Sequence, residues 1–346
     1  MYIQANDIKV INNLHDNLVE NKQLFIPTNY ILGTPPNEVD TMLKHSSHLR
    51  ALLTASSVSL FLALSTALST ANANDDHAVS STKLSDTIYL ISGNGGNIGV
   101  SIGSNGTFMI DDKFAPMTDA ILAEIKKLGG DVPKFVINTH WHADHTGGNE
   151  NLGKKGAIIV AHENVRERLT QDNFLAAFNK KIPASLAIGL PVVTFNDTIN
   201  FHLNGDEINV SHIANAHTDG DSIIHFTSEN ILHTGDIFFN GFYPFIDIAH
   251  GGSLKGMINA SDTMLSMIND QTRIIPGHGP MANKADLKSY RDMLQAAYDS
   301  LKPLKSAGKS IDEAVAAKPL QALDAEWSDG IFKTNQWIGL VYNGLD

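Results

Sequence analysis

The chain contains no cysteine. That excludes disulfides, thiolate metal ligands, a cysteine nucleophile and a lipid-anchored cysteine at a processed N-terminus. Positive charge is also scarce: 25 Lys and Arg stand against 37 Asp and Glu, a formal net charge of −12. A basic face that tracks a nucleic-acid backbone is therefore not expected. The longest apolar stretch, Ala51 to Ala67, is interrupted by serines and threonines, which makes it a poor permanent membrane span. No short tandem repeat is evident. What is left is ordinary for a globular protein: 346 residues, 42% hydrophobic and 18% charged. Such a chain can bury one large core or two modest ones. One residue type is in excess. Fifteen histidines raise the expectation of metal chemistry.

The N-terminal region reads as a leader rather than a working part. Residues 1–41 show no helical or strand period and include Thr34-Pro35-Pro36-Asn37, the mark of an upstream extension without function. Met42 is a natural start, and from it run Lys44 and Arg50, the apolar stretch, then Ala71-Asn72-Ala73. Basic, apolar, then A-x-A is the layout of a secretory signal peptide over 42–73. Residues 74–346 are then the exported domain, periplasmic or secreted, with no stable membrane insertion after cleavage.

The remaining chain carries a dense cluster of chemistry at Thr139-His140-Trp141-His142-Ala143-Asp144-His145. The preceding Lys134 to Asn138 reads as a buried strand entering a turn, and Gly147-Gly148 lets the chain bend away. In an extended segment residues two apart point the same way, so His140 and His142 can grip one ion together. Asp144 and His145, past the bend, are free to face a second. Imidazole and carboxylate at this density suit zinc or a similar divalent metal.

Around this motif the periodicity predicts strands at 87–91, 98–101, 107–111, 157–161, 198–203, 207–213, 222–226, 230–233 and 273–275. Helices are expected at 116–128, 163–178, 254–268 and 284–304, and 181–192 has no assignment beyond a flap near the site. Two strand-rich halves with helices suggest two sheets packed together with the helices outside. Three further strand ends carry ligand types: His217 in Ala216-His217-Thr218-Asp219-Gly220-Asp221, Asp236 in His233-Thr234-Gly235-Asp236, and His278 in Pro276-Gly277-His278-Gly279.

These four motifs, in this order, resemble the metallo-β-lactamase superfamily over nearly the whole exported part. The resemblance implies an α/β (α+β) fold, an αββα sandwich of two mixed β-sheets with external helices. It implies that His140, His142 and His217 hold one metal, that Asp144, His145 and His278 hold the other, and that Asp236 bridges them. Two zinc ions per chain are expected, with iron or manganese as alternatives. β-Lactamases with a cysteine ligand put it where Asp236 stands, and their substrate-gripping lysine falls at Phe239. The aspartate is more like the general hydrolases of the superfamily, yet the basic residues by which glyoxalase II holds glutathione are not recognisable.

Two divalent ions that share a carboxylate can hold and acidify a water for attack on a carbonyl. Asp144 is the expected catalytic carboxylate, orienting the nucleophile and returning a proton to the leaving group. Tyr243 is a candidate second oxyanion donor, although Phe242-Tyr243-Pro244-Phe245 also reads as core. His233 and His250 are candidates to support the ligands, Asp219 and Asp221 to fix His217. The expected activity is an exported hydrolase that acts on a small molecule with a β-lactam-like cyclic amide, lactone or ester bond. The alternatives are an iron-dependent, persulfide-dioxygenase-like oxidoreductase and a glyoxalase-II-like thioester hydrolase.

Overall fold

Alternation of apolar side chains along short strands dictates the architecture. The structure, a computed structural model, describes residues 77–345; the expected extension 1–41 and signal peptide 42–73 lie outside them. The first sheet has the order β1 (Val79–Lys83), β2 (Ile88–Gly93), β3 (Ile98–Gly103), β4 (Gly106–Ile110), β5 (Phe135–Ile137), β6 (Ile158–His162), then β9 (Val193–Phe195). The pairs from β1 to β4 are antiparallel, and those from β4 to β9 are parallel. A separate hairpin pairs β7 (Asn173–Leu175) with β8 (Lys180–Ile182). The second sheet runs β10 (Thr198–Leu203), β11 (Asp206–His212), β12 (Ser222–Phe226), β13 (Ile231–His233), β14 (Arg273–Ile275), antiparallel except for its last pair.

Successive strand residues point to opposite faces, and the core divides accordingly. Ile88, Leu90, Phe108, Ile110 and Ile137 of the first sheet meet Ile208, Val210, Ile224 and Phe226 of the second. Their neighbours Ile91, Met109, Val136 and Ile159 turn outward onto Ile121 and Ile125 of α1 (Thr118–Lys127). On the far side Ile223, Leu232 and Ile274 face α5 (Leu254–Met267) and α6 (Lys284–Ser306), with α2 (Ala143–Thr146), α3 (Asn149–Lys154) and α4 (Glu163–Leu169) lying between in sequence. Helix, sheet, sheet, helix is the expected αββα sandwich. Each fully buried Ile or Phe in these layers stabilises the fold by about 1.5–3 kcal/mol.

One element is shorter than its periodicity suggests. The helix expected over 163–178 ends at Leu169, because Asn173 turns its amide back onto the carbonyls of Arg168 and Gln171. The rest of that segment becomes the β7–β8 hairpin. No helix among the described residues is long and apolar enough to cross a membrane.

Parallel pairing brings strand ends together. β4 and β5 run side by side, as do β13 and β14, so the C-terminal end of each pair falls on one edge of its sheet. The two edges are sewn together: Ser222 N donates to Thr139 O at 2.8 Å, and Asn97 N to Gly277 O at 2.8 Å.

Candidate metal centre

At this joint seven side chains converge. His140, His142, His217 and Asp236 offer ligand atoms that all lie within 4.8 Å of one another, and Asp144, His145 and His278 form a second such group. Asp236 stands between them. Its Oδ2 is 3.7 Å from His140 Nε2, 3.6 Å from His217 Nε2 and 3.4 Å from His278 Nε2, while its Oδ1 is 3.1 Å from His145 Nε2.

The far side of each imidazole fixes what the near side can do. His142 Nε2 faces Asp247 Oδ2 at 3.0 Å, and a carboxylate can only accept, so that nitrogen carries the proton. By the same reasoning His217 Nδ1 donates to Phe245 O at 2.8 Å and His145 Nδ1 to Asp111 Oδ2 at 2.7 Å. The Thr139 hydroxyl gives its hydrogen to Asp111 Oδ2, so it accepts from His140 Nδ1. Bare lone pairs are therefore left on His140 Nε2, His142 Nδ1 and His217 Nε2. Yet His142 Nδ1 is 3.1 Å from the first and 2.9 Å from the last. Lone pairs so close repel unless a cation lies among them. In the second group, His145 Nε2 and Asp236 Oδ1 are buried without a hydrogen bond although they face each other. The donor set fits two borderline divalent ions, one per group, with Asp236 available to both.

Charge follows burial and neighbours. Burial pushes His217 down to about 4 and His140 well below its usual range, which keeps both neutral. Burial also opposes charge on His278, but Asp236 and Asp144 outweigh it and push that group up to about 9. Asp144 and Asp236 are held below the usual carboxylate range by His145 and His278, against their own burial.

Close packing holds the ligands in place. A Cβ on Gly96 would sit 2.1 Å from the His145 ring, and one on Gly277 would sit 2.1 Å from Asp236 Oδ1, so only glycine allows either approach. The glycine turn after β2 is thus a wall of the cluster. His278 stacks on Phe239, ring centroids 5.1 Å apart. Asp221 Oδ2 takes the main-chain N–H of His217 at 2.6 Å, while Asp219 pairs with Arg168. His250 supports the centre through Asp247 Oδ2, 2.7 Å from its Nδ1; His233 reaches Asn97 O. Trp141 packs in the core beside His142 and His250.

Tyr243 is not brought to the cluster. It is fully buried, stacked on Trp337, and desolvation with the nearby Asp324 pushes its hydroxyl up to about 12. Its ring packs in the core against Trp337, so no oxyanion role is assigned to it. Sequence reasoning missed Asp111 and Asp247. Asp111 had a visible signal, an acid directly after a buried strand at a ligand-bearing edge. It adopts φ +60°, a left-handed conformation costly for a non-glycine residue.

A cavity of about 260 Å³ opens on the cluster. His142, Asp144, Asp236 and His278 face it, Phe114, Phe239 and Phe245 wall it, and the β7–β8 hairpin closes one side.

The family model of the metallo-beta-lactamase superfamily matches residues 88–278, more than half of the chain. The chain belongs to the metallo-beta-lactamase superfamily. Within that superfamily it is similar to the hydroxyacylglutathione hydrolase of Pelagibacter ubique, 27% identical over 108 residues, 31% of this chain and 37% of that protein. It is also similar to that of Polaromonas sp., 25% identical over 174 residues, 49% of this chain and 57% of the relative. The chain thus spans between about a third and somewhat over half of these relatives. A metallo-beta-lactamase from Pontibacter korlensis shares the fold, with a TM-score of 0.51 and 22% identity over 63% of this chain and 99% of that one.

Proposed function

We propose that this protein is an exported dinuclear zinc hydrolase that cleaves a carbonyl-derivative bond in a small molecule: a β-lactam-like cyclic amide, a lactone or an ester. The observation that carries the reading is Asp236 set between two groups of His and Asp ligand atoms, with both groups opening on one cavity. Zinc held there would supply the Lewis acidity for making a water nucleophilic and a carbonyl electrophilic. The chain's own residues do the rest. His140, His142 and His217 would hold one ion, Asp144, His145 and His278 the other, with Asp236 shared. Asp144 lines the cavity and is kept ionised, so it can orient the nucleophile and carry a proton to the leaving group. Phe114, Phe239 and Phe245 give the cavity an apolar lining beside the ligand atoms. Export is supported by the basic, apolar, A-x-A order of residues 42–73.

A thioester substrate is the second reading, supported by the hydroxyacylglutathione hydrolases among the relatives. A hydrolysis screen of β-lactams, lactones, oxoesters and glutathione thioesters with the zinc-loaded protein separates the two. Turnover of a lactone, ester or β-lactam at least tenfold better than of the thioester supports the first; the reverse order replaces it with the second. Metal analysis of the natively purified protein checks the ion, and one iron per chain would overturn the zinc assignment.

A further inference from the structure

A buried cation lies beside the ligand cluster, and no step of the proposed hydrolysis uses it. Lys113 is 0% exposed, and among the described residues no other Lys or Arg is buried. It follows Asp111 and Asp112 just past β4, and its φ of +56° is the left-handed conformation that non-glycine residues rarely adopt. Burial pushes its ammonium down to about 8, while Asp144 and Asp111 pull the other way. A charge so enclosed is costly unless its hydrogen bonds are made.

Lys113 Nζ donates to the carbonyl of Gly96 and, at 3.4 Å, to that of Gly93. Both carbonyls belong to the glycine turn between β2 and β3, so one ammonium ties down both arms of that turn. The turn lies against every member of the second ligand group. At Gly95, which has φ +83°, a Cβ would sit 3.0 Å from Asp144 Cβ and 3.0 Å from the Phe114 ring. Gly96 lies on the His145 ring. Asn97, at the end of the turn, sends its amide to the carbonyls of Pro276 and Gly279 at 3.0 and 2.9 Å, and these flank Gly277 and His278.

We propose that Lys113 is a positioning residue for the second ion: by gripping the carbonyls of Gly93 and Gly96 it fixes the glycine turn against Asp144, His145 and the His278 loop. The spacing of those three ligands follows from that grip. The assignment rests on the two-ion reading of the centre. A bare charge at Lys113 would act in the opposite sense, since one cation disfavours another nearby. Grip and charge therefore predict opposite signs when the lysine is removed.

Cobalt(II) affinity of the full chain, read from visible absorption, tests this with each half isolated. In a His142→Ala background, which leaves the second half intact, Lys113→Met should weaken cobalt at least about tenfold. In a His278→Ala background, which leaves the first half intact, the same change should stay within about twofold. Lys113→Gln keeps a donor on a shorter chain without the charge. It should fall between, about threefold weaker than lysine at the second half, and this comparison stands if the methionine variant does not fold. Gly95→Ala displaces the turn by another route, so joined with Lys113→Met it should cost no more than the larger single loss. Equal weakening of both halves, tighter cobalt without the lysine, or full additivity with Gly95→Ala would each overturn the assignment. Two cobalt ions per unaltered chain with no selective loss remove the Lys113 assignment alone. A single ion per unaltered chain removes the two-ion reading on which it rests.

Discussion

The two halves of the ligand cluster are built differently. In the first, His140, His142 and His217 are no more than 5% exposed, and an acceptor braces the far nitrogen of each: Thr139, Asp247 and Phe245 O. In the second, only His145 is braced in this way, by Asp111. Asp144 and His278 are 23% and 16% exposed, and His278 leans on the ring of Phe239. Burial has already stripped protons from His140 and His217, while the acids around His278 and His145 keep protons on them when no metal is bound. A rigid, proton-free half should hold its ion tightly. A half-open, proton-bearing half should hold its ion more loosely and leave room for substrate.

Asp236 joins the halves, so the largest effect is expected there. Asn keeps its shape but not its charge, and Asp236→Asn should lower turnover by at least about a hundredfold, with part of the loss persisting at saturating zinc. Near-normal activity with two metals retained would show that the carboxylate only caps a strand end.

Single ligand deletions separate the halves. His142→Ala and His278→Ala should each lower metal content from about two ions per chain to about one, as counted by elemental analysis after dialysis. The ion that remains in His278→Ala should resist a competing chelator better than the one that remains in His142→Ala. Two tightly held ions in either variant would break the ligand assignment.

Bracing can be removed without touching a ligand. Asp247→Ala leaves His142 Nε2–H and His250 without their acceptor. Affinity at the first half should fall about 10–100-fold, measured by chelator competition, while the second half changes less. Equal losses at both halves would mean that Asp247 acts on the fold rather than on His142.

The smallest effect expected is in the pH dependence of uptake. His278 has its pKa raised to about 9, so below that pH an incoming ion must displace a proton. Affinity at the second half should therefore rise with pH up to about 9, by about tenfold per unit for one displaced proton. At the first half His217, pushed down to about 4, is already free of its proton at neutral pH, so its contribution to the slope above pH 5 is negligible. Proton release, measured calorimetrically in buffers of different ionisation heat, checks both slopes. Identical slopes would erase the distinction.

Much of the centre was legible in the chain because its chemistry is local. His140 and His142 share a face through the two-residue repeat of extended backbone, and the glycines beside Asp236 and His278 mark where chain must approach side chain. The alternation of Ile, Val and Phe in short segments likewise determined the sandwich, since each strand must bury one face against the partner sheet and the other under helices. Packing decided the rest. Asp247 lies 105 residues from the His142 it braces and Asp111 lies 34 from His145, separations that no local spacing encodes. Tyr243 sits close in sequence to Asp236 yet faces Trp337, because an aromatic ring gains more from burial in the core than from facing a polar cluster. The hairpin over the cavity replaced an expected stretch of helix for a similar reason. Helical period favoured continuation past Leu169, but the Asn173 amide caps the chain there, and only the folded hairpin turns Lys180 and Leu175 toward the cavity. The sequence by itself determined which ligands exist and on which strand ends they ride; tertiary packing decided how each is braced and which half is open.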